Sequence, residues 1–106
     1  MLDCIFCQII AEKISAETVL NTNDIIAFKD IKPRARVHIL LVPKIHITSV
    51  QTAESRDQAI LGKLILAAKK AAVKMGVLET GFKLLINCGK QGGQEVDHLH
   101  IHLLAN

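Results

Sequence analysis

The sequence has 106 residues, of which 50% are hydrophobic and only 3% are aromatic. A chain of this length holds one domain, so we expect residues 1–106 to share a single aliphatic core. The formal charge is +3, but the Lys and Arg residues are too dispersed, and stacking aromatics too few, for nucleic-acid binding. No apolar run approaches the roughly 20 residues that cross a bilayer, so we expect no membrane span.

The N-terminal segment "MLDCIFCQII" carries a C-x-x-C pair, Cys4 and Cys7. The segment lacks the basic region and the cleavage site of a signal peptide, which predicts a cytoplasmic protein. In that compartment the pair indicates metal or redox chemistry rather than a structural disulfide. The third cysteine, Cys88, is predicted to be a small buried residue.

The first half of the chain predicts one short helix and three strands. Apolar side chains at i, i+4 spacing predict the helix over residues 4–12. Two strands, over 17–21 and 25–29, flank the turn-forming "NTND". The run "RVHILLVP", 36–43, is so apolar that we expect a strand buried on both faces.

The second half predicts one long helix and two more strands. The helix spans about 55–75, with an apolar stripe at helical spacing and Gly76 as its C-terminal cap. A strand over 82–87 and a glycine-rich loop lead to the last strand, 96–104. The sum is an α+β domain, in which the long helix covers one face of an antiparallel sheet of about five strands.

The last strand contains "HLHIHLL", in which three histidines occupy alternate positions. Side chains alternate between the faces of a strand, so we expect His98, His100 and His102 on one face and the apolar residues between them in the core. A strand face that is merely exposed to solvent does not require histidine, because other polar residues would serve equally well there. Three clustered imidazoles supply donors, acceptors and a nucleophile near neutral pH, which suits metal binding or phosphoryl chemistry.

The loop "NCGKQGGQE" precedes these histidines. Its glycines Gly89, Gly92 and Gly93 permit left-handed backbone, and consecutive N–H groups could form an anion-binding nest. Most loops of this kind are only connections. Because this loop comes directly before three histidines, however, we expect it to bind a phosphate.

These motifs resemble the histidine-triad (HIT) superfamily, whose signature is H-φ-H-φ-H-φ-φ with φ apolar. "DIKPRARVHILLVPKIHI" and "GGQEVDHLHIHLL" are similar to the Hint branch of nucleotide-binding proteins, and the likeness covers essentially the whole chain. The resemblance implies a HIT-like fold and a homodimer joined edge to edge. It also implies hydrolysis of purine nucleoside 5′-phosphoramidates or related nucleotidyl conjugates, with ligands such as AMP or GMP and no catalytic metal.

The resemblance assigns roles to four histidines. His100 would attack the α-phosphorus and form a covalent nucleotidyl-histidine that water hydrolyses. His102 would donate to the α-phosphate oxygens, His98 would orient the nucleophile, and His38 would complete the hydrogen-bonded relay. Without the resemblance, His38 could equally be a satisfied core histidine.

The resemblance also assigns nucleotide contacts. The positions that match them are Phe6, Ile9, Phe28, Asp30, Ile31, Asn87, Gly93, Gln94 and Glu95. The aromatic and aliphatic members would wall the purine, Asp30 and Ile31 would contact the ribose and base, and the others would face the phosphate. On sequence alone, Asp30 could simply begin a turn, and the apolar positions could be ordinary core.

HIT relatives that keep the C-x-x-C pair resemble this chain in a further respect, which implies a zinc site. Its ligands would be Cys4, Cys7, His46 and His98. Four protein ligands leave no open position, so the zinc would be structural and would tie the first helix to the catalytic strand. The alternative is a pair of reduced, uncoordinated cysteines.

The sequence departs from the Hint pattern in three places. Glu95 replaces a frequent serine, and Asp97 replaces a usual aromatic. The sequence stops at "LLAN" where relatives continue with "GGR" and a tail. We expect slower turnover or a broader range of leaving groups from these departures.

Two other functions fit the sequence. One is a nucleotide-binding or scaffold module with little or no catalysis. The other is a zinc hydrolase built directly on the H-x-H-x-H strand, whose activity would require a metal with an open coordination position.

Overall fold

A computed structural model describes residues 3–106. The domain predicted over residues 1–106 and the N-terminal segment without signal-peptide features both include Met1 and Leu2, which lie outside the described residues. The helices and strands are α1 (Ile5–Ile10), β1 (Thr18–Asn21), β2 (Ile25–Lys29), β3 (Val37–Pro43), α2 (Gln58–Lys74), β4 (Lys83–Leu85) and β5 (Ile101–Ala105). The five strands form one antiparallel sheet in the order β1-β2-β3-β5-β4. Within the described part of the chain, no helix is both long and apolar enough to traverse a bilayer.

Strand β3 lies at the centre of the sheet, and all seven of its residues are buried. Ile39 and Leu41 pack in the larger core cluster, which includes Leu64 of α2. Leu40 and Val42 point the other way, into a second cluster that contains α1 residues. The prediction of a strand buried on both faces is therefore confirmed, because a helix covers each side.

Helix α2 packs closely on one face of the sheet through a stripe of small residues. Its buried residues are Leu64, Ala67, Ala68, Ala71 and Ala72. Gly76 follows the helix with a φ of +73°, a conformation that glycine adopts without steric cost. The predicted helix started at residue 55, but residues 55–57 form a separate 3₁₀ turn before α2 begins.

The last two strands are shorter than predicted. β4 covers only Lys83–Leu85, and β5 begins at Ile101, so the prediction of a strand from residue 96 is wrong. The physical reason is local bonding: the Leu99 amide donates to the Ile47 carbonyl at 2.7 Å, and the His98 amide donates to the Val96 carbonyl at 2.8 Å. Residues 96–100 therefore run beside the loop after β3 and do not join the ladder.

Candidate active site

The three triad histidines, His98, His100 and His102, face the side of the sheet away from α2. The residues that alternate with them, Leu99, Ile101 and Leu103, lie in the core cluster beneath α2. The His100 and His102 ring centroids are 4.9 Å apart, and the His100 ring meets Phe6 of α1 edge-on at 5.1 Å. The predicted shared face is confirmed, although only His102 lies within β5.

The hydrogen bonds of His100 fix which ring nitrogen carries its proton. Nδ1 lies 2.7 Å from the carbonyl oxygen of His98. A carbonyl oxygen only accepts, so Nδ1 donates and Nε2 keeps its lone pair. Burial lowers the pKa of His100, which favours the neutral ring. His100 therefore presents an available nucleophilic nitrogen at neutral pH.

A second chain of hydrogen bonds sets the tautomer of His102. The backbone N–H of Arg34 donates to Nδ1 of His38 at 3.1 Å, so neutral His38 carries its proton on Nε2. That Nε2 lies 2.9 Å from Nδ1 of His102 and donates to it. His102 is consequently left with its proton on Nε2, as a hydrogen-bond donor.

Electrostatics keep this pair of rings neutral. Burial lowers the pKa of His38. Burial, and to a smaller degree the neighbouring His100, His38 and Arg34, lower the pKa of His102 to about 4. Both rings therefore stay uncharged at physiological pH, and His102 acts as a neutral donor.

Asp30 lies at the end of β2 and has two local roles. Its Oδ1 accepts the Lys32 N–H at 2.8 Å, so the predicted turn is present. Its Oδ2 lies 3.4 Å from Nε2 of His38. One possible metal-ligand atom from each of Asp30, His38 and His102 lies within 4.8 Å of the other two, which is close enough for the three to share a metal ion. The short bond between the two rings already uses the facing lone pair, so a hydrogen-bonded relay accounts for this cluster.

The apolar positions assigned to the purine divide into two groups. Phe6, Ile9 and Phe28 are buried in the cluster beneath α1, and the Phe6 and Phe28 rings are 5.6 Å apart. Their expected core role is thus present, next to His100. Ile31 differs, because it is 90% exposed in the loop after β2 and lies outside this buried cluster.

The glycine-rich loop is closed by the side chain of Gln94. The Gln94 Oε1 accepts the Gly89 N–H at 2.8 Å, and its Nε2 donates to the carbonyls of Thr48 and Val96 at 2.7 and 2.9 Å. The Gln94 amide N–H donates to the Gly89 carbonyl at 3.1 Å. Gln94 therefore organises the loop, a role that sequence reasoning missed.

Other bonds within the loop occupy further groups that were assigned to the phosphate. The Gly93 N–H donates to the Lys90 carbonyl at 3.1 Å, and Nδ2 of Asn87 donates to the Gly92 carbonyl at 2.8 Å. A Cβ at Gly92 would lie 2.3 Å from the Cys88 carbonyl oxygen, so the close turn requires glycine there. The amides of Gly89 and Gly93 thus donate within the loop and do not form the open anion nest that the glycines predicted. Cys88, predicted to be buried, is only partly buried.

The two acidic departures are exposed at the surface. Glu95, Asp97 and Asp3 line a cavity of about 460 Å³, together with His46 and other residues. The Glu95 carboxylate is close enough to raise the pKa of His100 slightly against the larger effect of burial. The negative charge of Glu95 therefore acts on the His100 ring.

A second group of side chains joins α1 to the triad. Cys4 is the N-cap of α1, and its sulfur accepts the Cys7 N–H at 3.4 Å. The Cys4 sulfur lies 3.3 Å from Nδ1 of His98, and the Cys7 sulfur lies 3.3 Å from Nδ1 of His46. All four donor atoms fall within 4.8 Å of one another, so the fold brings together the four residues assigned to zinc.

The chemistry of these donors fits a tetrahedral metal ion. Nε2 of His98 donates to the buried Pro43 carbonyl at 2.8 Å, which leaves its Nδ1 lone pair facing the two sulfurs. Burial lowers the pKa of His98 to about 4 and raises that of Cys7, so burial favours the uncharged form of these two side chains. Two thiols and two imidazole lone pairs at this spacing are a donor set that zinc prefers.

Known proteins are similar to this chain in sequence and in fold. A sequence model of the HIT domain matches residues 11–106. The chain belongs to the HIT family. It is 48% identical over 105 residues to Protein HitA of Neisseria gonorrhoeae, across 99% of this chain and 97% of that protein.

Two further comparisons connect HIT sequence and HIT structure. The chain is 39% identical over 103 residues to the purine nucleoside phosphoramidase of Escherichia coli strain K12, across 97% of this chain and 87% of that protein. The HIT family hydrolase from Clostridium thermocellum superposes with a TM-score of 0.97 at 40% identity, across 100% of this chain and 92% of that one. The predicted HIT-like fold is confirmed.

Two positions in this HIT site had no assigned role in the sequence. Arg34 orients His38 through its amide, and its Nη2 lies 3.3 Å from Nδ1 of His102. Pro43 orients His98 through its carbonyl. The cationic "KPRAR" segment was a signal for Arg34, whereas a backbone carbonyl has no signature in residue type.

Proposed function

We propose that the protein hydrolyses purine nucleoside 5′-phosphoramidates or related nucleotidyl conjugates through a covalent nucleotidyl-His100. The observation that carries the proposal is the hydrogen bond from Nδ1 of His100 to the His98 carbonyl, since it leaves Nε2 with a lone pair beside a second, donating histidine. The 39% identity to a purine nucleoside phosphoramidase supports the same chemistry and the same class of substrate.

In the first step, the Nε2 lone pair of His100 forms a bond to the α-phosphorus. The P–N or P–O bond to the leaving group breaks, and its electron pair departs with the leaving group, which takes up a proton from solvent water. The His100 ring now carries a positive charge, and the bond from Nδ1–H to the His98 carbonyl stabilises it. His102 donates from Nε2 to a non-bridging phosphate oxygen, where charge grows in the transition state.

In the second step, water attacks the phosphorus and the N–P bond breaks. The electron pair returns to Nε2 of His100, and the attacking water releases one proton to solvent, which balances the proton taken up by the leaving group. A nucleoside monophosphate such as AMP or GMP is released. Dividing the displacement into two steps lowers the barrier of each. His100 ends in the tautomer in which it began.

The nucleoside would lie against the face that carries Phe6 and Phe28, with Asp30 beside the ribose. Asp30 faces this side because it continues the alternation of β2 beyond Phe28, and its amide donates to the His38 carbonyl at 3.0 Å. Asn87 and Gly93 would border the phosphate from the closed loop. Gln94 would hold that loop, and Ile31 would reach the base only from the solvent side.

We further propose a structural zinc ion held by Cys4, Cys7, His46 and His98. When bound, it supplies a four-coordinate cross-link without an open position for substrate. His98 would then join two functions, because its ring is a ligand and its carbonyl orients His100. A homodimer is also proposed: β4 lies at one edge of the sheet, and Leu84 and the neighbouring Ile86 are exposed there.

The test compares turnover of adenosine 5′-phosphoramidate by two variants. His100→Ala removes the nucleophile and should abolish turnover, while His102→Gln keeps it and should lower kcat by about 10²- to 10³-fold, the usual loss for a transition-state donor. Thermal melting of both variants checks the fold. Turnover of His100→Ala at the wild-type rate would reject the mechanism.

The alternative is a nucleotide-binding module with little catalysis. The observation that favours it is Glu95, whose negative charge acts on His100 and opposes an incoming phosphate. Tight binding of AMP without cleavage of any nucleotidyl substrate would support this alternative.

A further inference from the structure

The loop between β2 and β3 contains the cationic segment Lys32, Arg34 and Arg36. Arg34 is the one whose side chain reaches the triad, with Nη2 at 3.3 Å from Nδ1 of His102. Its backbone N–H is bonded separately to Nδ1 of His38 at 3.1 Å. One residue thus contacts two consecutive rings of the relay, through two different groups.

The second contact matters because the proton on Nε2 of His38 has two acceptors. Nδ1 of His102 lies at 2.9 Å from that nitrogen, and Oδ2 of Asp30 lies at 3.4 Å. Whenever His38 donates to Asp30, Nδ1 of His102 loses its donor. His102 could then place its own proton on Nδ1, and Nε2 would no longer donate toward a phosphate.

A guanidinium prevents this exchange. Arg has only donors and does not lose its proton in proteins, so Nδ1 of His102 beside it can only accept. In residues 3–106, no carboxylate forms an ion pair with Arg34. Its charge is therefore not held in a close ion pair, and it opposes addition of a second proton to His102.

We propose that Arg34 is a positioning residue for the triad: its guanidinium holds His102 as a neutral ring with the proton on Nε2. The relevance to catalysis rests on the proposed function, in which that N–H donates to the phosphate. The tautomer of His102 is a property of the free protein and stands independently of any reaction.

The experiment compares Arg34→Ala, Arg34→Lys and a matched control, Arg36→Ala, whose exposed arginine comes from the same segment. Nitrogen-15 chemical shifts of the His102 ring, assigned by their loss in His102→Gln, report which nitrogen carries the proton. Wild type and Arg36→Ala should show a protonated Nε2 only. Arg34→Ala should show a mixture of tautomers, and Arg34→Lys should restore part of the wild-type pattern.

Kinetics and a pH titration give a second readout. Arg34→Ala should lower kcat by about 10-fold, the scale on which outer partners of a functional imidazole act, with a small change in KM. The His102 pKa should rise when Arg34 is removed, because the guanidinium lowers it. Of the titratable groups that still face His102, His100 and His38 lower its pKa and Asp30 raises it. Unchanged His102 shifts and kcat in Arg34→Ala, or equal losses in Arg36→Ala, would overturn the proposal. Absence of any hydrolysis by wild type would reject the proposed function, while the chemical shifts would still decide the role of Arg34.

Discussion

The substitution His102→Gln removes a buried neutral imidazole. It should therefore reduce the amount by which the free energy of unfolding falls at acid pH. The folded protein lowers the pKa of His102 from an ordinary value of 6.5 to about 4, chiefly through burial. Between those values the unfolded chain binds more protons than the folded one, so the free energy of unfolding falls as the pH falls. His102 as a residue is 7% exposed, so solvent screening reduces the effect little.

The magnitude follows from the two pKa values. Linkage between about pH 7 and about pH 4.5 gives a loss of roughly 2.5 kcal/mol for this one group. Urea unfolding of wild type and His102→Gln at both pH values, in the presence of a chelator, isolates the contribution of His102 from that of bound metal. The variant should lose less stability on acidification, by about that amount.

Equal loss of stability by the two proteins on acidification would show that His102 does not contribute to the pH dependence. A smaller difference than expected would locate the effect in His38 and His100, which pack against His102 and also have lowered pKa values. Repeating the pair of titrations in His38→Gln distinguishes these sources.

Three further perturbations test other parts of the account. Cys7→Ser should lower both the zinc content measured by atomic absorption and the Tm of the zinc-loaded protein. Wild type treated with a chelator should retain hydrolysis. Activity that vanishes with the chelator and returns with zinc would instead favour a zinc hydrolase. Gly92→Ala should cost roughly 1–3 kcal/mol in urea unfolding, because the added Cβ meets the Cys88 carbonyl at 2.3 Å, and an unchanged midpoint would contradict that contact. Glu95→Ser should raise kcat/KM by about two- to fivefold at low salt, as expected for removal of an exposed like charge, and a lower value would show that Glu95 assists the reaction.

Much of the fold could be predicted because the apolar pattern and the packing agree. Alternate side chains of β3 pack into the two core clusters on either side of the sheet, and the apolar stripe of α2 is buried as expected. The prediction failed where main-chain bonds outside the ladder decide the structure, as at Leu99, whose amide bonds to Ile47. Nothing in the residue types of 96–100 marks that choice.

The site shows the same division. Histidines at alternate positions predicted their common face, and the four zinc-assigned residues do come together. The tautomers depend on the Arg34 amide and on the carbonyls of Pro43 and His98, which every residue type possesses. Gln94 was assigned to the phosphate, yet its side-chain amide holds the loop. The sequence could not indicate this role, since only the folded loop shows which carbonyls lie within reach of that amide.

The base preference, the cytoplasmic location and the homodimer stay predictions. Sedimentation velocity tests the dimer, with Leu84→Lys at the edge strand as the variant expected to favour monomers. Competition between AMP and GMP in a binding titration tests the base preference.

The covalent intermediate is the most direct test of the central claim. Wild type is mixed briefly with adenosine 5′-phosphoramidate, quenched, and mapped by peptide mass spectrometry. We expect one added nucleoside monophosphate on the peptide that contains His100, and none in His100→Ala. Rapid turnover with no adduct on His100, or an adduct on a different residue, would contradict it.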